Sequence, residues 1–229
     1  MLERLIEEAP RFFSYYNMLF LAQAMLATIA LSAIGCLTGA VTGLVIAFVR
    51  LGKGPLWWPL KALAIVFTEF FRRVPFLVTL MLVFFASQLS GLNLSLFAVA
   101  CLAVFLIASA FLAEIIRAGF DSVHANQWDA AAAMNFSMFE TIRFVVLPQA
   151  WRIILPPGFG FFILFIKDTA LASQIGVVEL TYAGKVLNNK GFSAILVFGV
   201  MLILYFAISY PLARYGAYLE AKLAQSRDH

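Results

Sequence analysis

Between Phe12 and Val49 the chain carries no charged residue. A helix rising about 1.5 Å per residue crosses the roughly 30 Å hydrocarbon core of a bilayer in about 20 residues, so this interval alone can span it with length left for tilt. In water the same stretch would expose a continuous apolar surface. In lipid it has only to satisfy its own backbone hydrogen bonds, which a helix does within itself. The composition agrees, at 63% hydrophobic and 12% charged residues with a mean hydropathy of +0.95, outside the range of soluble domains. No ten-residue segments of alternating hydrophobicity are visible, which argues against a membrane β-barrel.

The expected fold class is therefore an all-α membrane protein with five transmembrane helices, at about 19–49, 59–86, 94–116, 153–178 and 192–214. A short tail over 1–18 precedes them and a tail over 217–229 follows. Arg50 and the breaker run Gly52, Lys53, Gly54, Pro55 end the first span, and the turn-forming SQLSGLN separates the second from the third. Glu3, Glu7 and Glu8 stand where a secretory leader would carry basic residues, so the first apolar segment is expected to be retained. Arg50, Lys53, Lys61, Arg117, Arg143 and Arg152 border one face, joined by Arg214, Lys222 and Arg227. The positive-inside rule makes that face cytoplasmic, with the N-terminus periplasmic and the C-terminus cytoplasmic. The net charge of +4 is small and lacks basic clusters interleaved with aromatics, which speaks against nucleic-acid binding. Cys36 and Cys101 lie in apolar stretches and read as small buried hydrophobes. Tyr15, Tyr16, Trp57 and Trp58 read as anchors at headgroup depth.

The polar interval from 126 to 148 is the most informative stretch. Trp128, Asp129 and Ala130 to Ala133 make a small-faced helical turn that another protein surface can approach, with Asp129 favoured near the helix N-terminus by the helix dipole. Asn135 tolerates a left-handed backbone and permits a sharp turn. A second helical piece, 139–147, follows, and Pro148 is expected to break it before the next span. The predicted product is a docking element of helix, turn, helix and breaker.

At these residues the chain resembles the membrane subunits of binding-protein-dependent ABC importers, whose cytoplasmic pattern is EAA, three residues, G, nine residues, I, one residue, LP. Asp129, Ala130 and Ala131 stand at EAA, Asn135 at the glycine, Val145 at the isoleucine, and Leu147 with Pro148 close the pattern. VFTEFFRRVPFLVTL, FLAEIIRAGFDSV and FIKDTALASQIGVVELT are similar to the polar amino acid branch, with Arg73 and Val74 where that branch has Gly and Thr. The resemblance implies the type I ABC importer fold, in which Trp128, Asp129, Ala130, Ala131, Asn135, Val145, Leu147 and Pro148 form a cytoplasmic coupling helix docked on an ATPase. It further implies a permease acting by alternating access in the bacterial inner membrane. Implied partners are a second copy or a paralogous permease, two cytoplasmic ABC ATPase subunits, a periplasmic binding protein and the lipid bilayer. Cofactors are none in this chain, with ATP and Mg in the partner ATPase. No catalytic residue and no metal site is expected, and no GxxxxGK[ST] loop is present.

Charges within the membrane cost about 2.5 to 3.5 kcal/mol each on insertion scales and so need partners or water. Glu69, Arg72, Arg73, Lys167 and Asp168, with Thr169, form a candidate substrate path, Asp168 suiting an ammonium and Arg72 or Arg73 a carboxylate. Counted from Trp57 and Trp151, Arg72 and Asp168 come out at one depth, about 22 to 26 Å from the cytoplasmic side. The alternative is a set of interhelical ion pairs that orients helices. Glu114 and Arg117, one turn apart, read as a local salt bridge. Two other functional classes stay open: an ion-gradient secondary transporter or channel, and a non-transporting membrane scaffold. Neither accounts for the cytoplasmic pattern.

Overall fold

The computed structural model describes the backbone of residues 2–52 and 54–225, with side chains from 5 to 223. Lys53, Arg227 and His229, and the side chain of Glu3, lie outside the described residues. The described chain is helical: α1 Leu2–Phe12, α2 Tyr15–Leu51, α3 Trp58–Arg73, α4 Phe76–Leu89, α5 Leu96–Asp121, α6 Ala125–Ala133, α7 Met138–Glu140, α8 Leu147–Asp168, α9 Leu180–Asn189 and α10 Ala194–Gln225. Four stretches are long and apolar enough to cross a membrane: Tyr15–Leu51, Leu96–Asp121, Met138–Ile175 and Ala194–Leu223. A fifth exists only if the broken pair Pro55–Arg73 and Phe76–Leu89 counts as one span.

The expected second span at 59–86 contains that break. Pro75 has no N–H to donate and forces Val74 out of the helical region, to φ −90 and ψ 133. A new helix starts from the Pro75 carbonyl, which accepts from Val78 N at 3.0 Å and Thr79 N at 3.2 Å. Pro148 behaves in the opposite way and does not end its helix. It lies in the first turn of α8, directly after a π-helical stretch, Thr141–Val146, so that one helical path runs through it. Leu147 N reaches back five residues to the Ile142 carbonyl, and the widened turn accommodates a residue without an N–H. The presumed tails are helical too: α1 occupies much of 1–18, and α10 continues past Arg214 to Gln225.

The chain forms two compact units, whose boundaries fall inside α2, α5, α8 and α10 and between α3 and α4. The first comprises 1–35, 75–104 and 163–212. In it Phe12 is fully buried and meets Phe192 edge-on at 5.3 Å, while Ser193 N donates to the Glu8 carboxylate at 2.7 Å. Leu180 N donates to Thr28 Oγ1 at 3.0 Å, tying α9 to α2. Glu179, fully buried, caps α9 by accepting from Thr181 N at 2.9 Å and Tyr182 N at 2.7 Å, and Tyr205 Oη donates to it at 3.0 Å. Burial pushes its carboxyl up from the usual range, and the two backbone N–H bonds oppose that rise. Glu179→Gln replaces one acceptor oxygen with an NH2 facing donors, and is expected to cost about 1–3 kcal/mol. A lowered thermal midpoint of the detergent-solubilised protein measures it.

The second unit comprises 36–74, 105–162 and 213–229. Its core is Ala47, Ile116, Phe120, Val123, Ile142, Val146 and Ala150, with Phe48, Leu51, Trp128, Met138, Leu147 and Ile154 packed against it. Above this core α2 and α5 nearly touch through Gly39 and Gly43. A Cβ on Gly39 would lie 2.6 Å from Ala108 Cβ and 2.9 Å from Ser109 N, and one on Gly43 would lie 2.8 Å from Ala113 N. Small residues four apart let two helices approach to backbone contact, which in lipid replaces the missing hydrophobic drive with dispersion.

Candidate docking segment and charged cluster

Both parts of the candidate site described first belong to the second unit. The docking segment begins at His124, whose Nδ1 accepts from Asn126 N at 3.2 Å at the start of α6. Asn135 ends that helix with φ 61, and Phe136 N→Ala131 O (3.1 Å) with Asn135 N→Ala132 O (2.9 Å) close a Schellman turn. Asn135→Gly is expected to be neutral or slightly stabilising, whereas Asn135→Val forces a β-branched residue left-handed at a cost of about 1–2 kcal/mol. Comparing the thermal midpoints of the two variants checks this. Ser137 and Glu140 then form a capping box, Ser137 N→Glu140 Oε2 at 2.8 Å and Glu140 N→Ser137 Oγ at 3.3 Å.

Folding divides the pattern residues between two faces. Ala131 is fully buried, and Trp128 and Leu147 pack on the core. Asp129, Ala130, Asn135 and Pro148 face outward, and Val145 is half-buried. The expectation that the whole alanine run is open to an approaching surface therefore needs correcting at Ala131, which the helix period turns inward onto its own chain. The outward face continues into Met134, Phe139, Phe144 and Trp151, each more than half exposed. A cavity of about 690 Å³ beside α6 is lined by Leu51, Phe120, Trp128, Asp129, Phe136 and Met138, among others. Gln149 Nε2 donates to Val145 O at 2.8 Å and to Gln127 Oε1 at 3.3 Å, joining α8 to α6. The sequence pattern had no signal for this link, because glutamines that far apart have no shared period.

The charged cluster is centred on Glu114. It takes Arg50 at 2.7 Å, Arg72 at 3.7 Å and, on its Oε1, both Nε and Nη2 of Arg117. Arg117 also bonds Asp121. Arg73 pairs with Glu69 at 2.6 Å on its own helix. Arg72 lies 4.0 Å from Glu69, and its guanidinium stands 5.8 Å from the Phe111 ring centroid. The local Glu114–Arg117 pair is present, and Glu114 also accepts guanidiniums from α2 and α3. Arg50 carries no local sequence signal for this pairing, because it stands 64 residues from Glu114. Lys167, Asp168 and Thr169 belong to the first unit. Lys167 is exposed, Asp168 half-buried and Thr169 buried, its Oγ1 donating to Ile166 O at 2.8 Å and lying 3.4 Å from Ser32 Oγ. The ion partners found for Arg72 are Glu114 and Glu69. Among the described residues no three His, Cys, Asp or Glu side chains are grouped to hold a metal ion.

Residues 39–225 match the profile described as "Binding-protein-dependent transport system inner membrane component". The probable glutamine ABC transporter permease protein GlnP of Bacillus subtilis (strain 168) is 32% identical over 92% of this chain and 96% of its own length. The glutamine transport system permease protein GlnP of Escherichia coli (strain K12) is 34% identical over 81% and 84%. Among solved structures, a chain of "Crystal structure of an amino acid ABC transporter with histidines" superposes with TM-score 0.80 at 26% identity, covering 91% of this chain and 98% of that one. A chain of the inward facing MetNI methionine ABC transporter superposes with TM-score 0.77 at 19% identity, covering 92% and 99%, a likeness of fold.

Proposed function

Because the chain belongs to the family of binding-protein-dependent transport system inner membrane components and shares the type I ABC importer fold, we propose that it forms the translocation path of an importer for polar amino acids. The observation that carries this reading is the docking segment: a short helix with Ala131 buried and Trp128 packed on the core, which Leu147 of α8 also joins, and an outward face where Asp129, Ala130 and, just past the helix end, Asn135 lie beside exposed aromatics. A rigid platform with an apolar, weakly charged rim suits a protein partner. In this reading two cytoplasmic ATPase subunits, holding ATP and Mg, dock there. Their closure on ATP swings two permease chains, identical or paralogous, from inward to outward access. A periplasmic binding protein delivers the substrate, and hydrolysis restores the inward state. The N-terminus is periplasmic and the C-terminus cytoplasmic.

This chain carries no chemistry in the cycle, and its task is to bind, orient and exclude. Asp168, half-buried beside the buried Thr169, suits the substrate ammonium. Reconstitution with the cognate ATPase, second permease and binding protein tests the reading against radiolabelled glutamine, glutamate, arginine and histidine. ATP-dependent accumulation of at least one is expected. Accumulation driven by an ion gradient without ATP would replace it with a secondary transporter, and no accumulation of any amino acid with a scaffold.

A further inference from the structure

At Glu114 three helices meet through charge. Arg50 comes from the last turn of α2, Arg72 from the last turn of α3, and Glu114 and Arg117 from α5. Two of the three links are hydrogen-bonded: Arg50 Nη1 donates to Oε2 at 2.7 Å and Arg117 to Oε1. Arg72, at 3.7 Å, is held by charge alone. Arg50 also reaches Thr68 Oγ1 on α3 at 3.5 Å. The four guanidiniums of Arg50, Arg72, Arg73 and Arg117 face the three carboxylates of Glu69, Glu114 and Asp121. Arg73 is taken up by Glu69 and Arg117 shared with Asp121, so Arg50 and Arg72 depend chiefly on Glu114.

The loosest link lies beside the break between α3 and α4. Arg72 stands two residues before Val74, whose extended backbone and the missing N–H of Pro75 interrupt helical hydrogen bonding between α3 and α4. A helix end with no continuing ladder is positioned by its side chains, and here those are Arg72 on Glu114 and Thr68 on Arg50. With Glu114 neutral, the guanidiniums of Arg50 and Arg72 would repel each other in surroundings where charge is weakly screened, and the end of α3 would be released.

We propose that Glu114 is a positioning residue, a counter-ion shared by Arg50, Arg72 and Arg117 that fixes the broken end of α3 against α2 and α5 and so keeps ATP hydrolysis tied to substrate movement. The inference rests on the importer reading above. In the reconstituted complex, Glu114→Gln is expected to lower amino acid imported per ATP hydrolysed by about threefold or more, with hydrolysis continuing and the KM for substrate unchanged. Arg50→Gln reproduces the loss, and Glu114→Asp, which keeps the charge, recovers part of it. A wild-type import-to-hydrolysis ratio in Glu114→Gln overturns the proposal. So does an equal loss of import and hydrolysis in all three variants matching a fall in assembled complex, because that outcome describes a merely structural ion pair. A raised KM alone overturns it too, by making Glu114 a substrate contact. If the wild-type complex imports none of the four amino acids, the importer reading itself fails, a result distinguishable from these.

Discussion

Asp129→Lys combined with Ala130→Trp is expected to abolish ATP-driven uptake and ATPase association while leaving the chain folded. Both side chains are exposed on α6, and exposed substitutions usually change stability by no more than about 0.5 kcal/mol. At a docking face the same changes reverse a charge and insert an indole where close approach is needed. Such juxtapositions cost several kcal/mol, so association should weaken by about a hundredfold or more. Copurification of the ATPase, uptake and the thermal midpoint are measured together. Ala131→Trp is the informative contrast: Ala131 is fully buried, so this variant should lose folded protein before any question of docking arises. If the Asp129/Ala130 variant associates and transports like the wild type, the docking face lies elsewhere and the coupling reading falls.

Even alanine at Gly39 or Gly43 is expected to damage the helix pair they form with α5, and leucine to abolish it. The atoms a new Cβ would meet include backbone nitrogens, Ser109 N at 2.9 Å for Gly39 and Ala113 N at 2.8 Å for Gly43. A backbone cannot turn away as a side-chain tip can, so α2 and α5 must separate, at about 1–3 kcal/mol for the methyl group and more for leucine. Gly199, in α10, has nothing within 4 Å of an added Cβ, and Gly199→Ala should preserve the monodisperse detergent-solubilised fraction that Gly39→Leu and Gly43→Leu lose. Retention of that fraction in both leucine variants would show that the close approach is not needed for folding.

Some of this was legible one residue at a time. Lipid imposes a single rule, that long charge-free segments satisfy their backbone as helices, and so the helical class and most of the apolar segments can be read by counting. The left-handed Asn135, φ 61, follows from local side-chain chemistry in the same way. The fate of the two prolines is already different. Pro75 breaks its helix because Val74 is pushed into extended backbone, whereas Pro148 is absorbed by the preceding π-helical turn, and nothing in an X-Pro pair announces which will happen.

The sequence by itself therefore determined the membrane-spanning helical class, the local helix-and-turn pattern after Asp129 and the presence of charges within apolar segments that need partners. Only the tertiary structure decided which of those partners they take, because an ion pair depends on how helix faces are rotated toward each other. Packing brought Arg50 of α2 and Arg72 of α3 onto Glu114 of α5, made Gly39 and Gly43 contact points and turned Ala131 inward. Hydropathy is a property of each residue and its neighbours along the chain. Helix rotation, burial and charge pairing are properties of surfaces that meet from distant positions, and they exist only once the helices have packed.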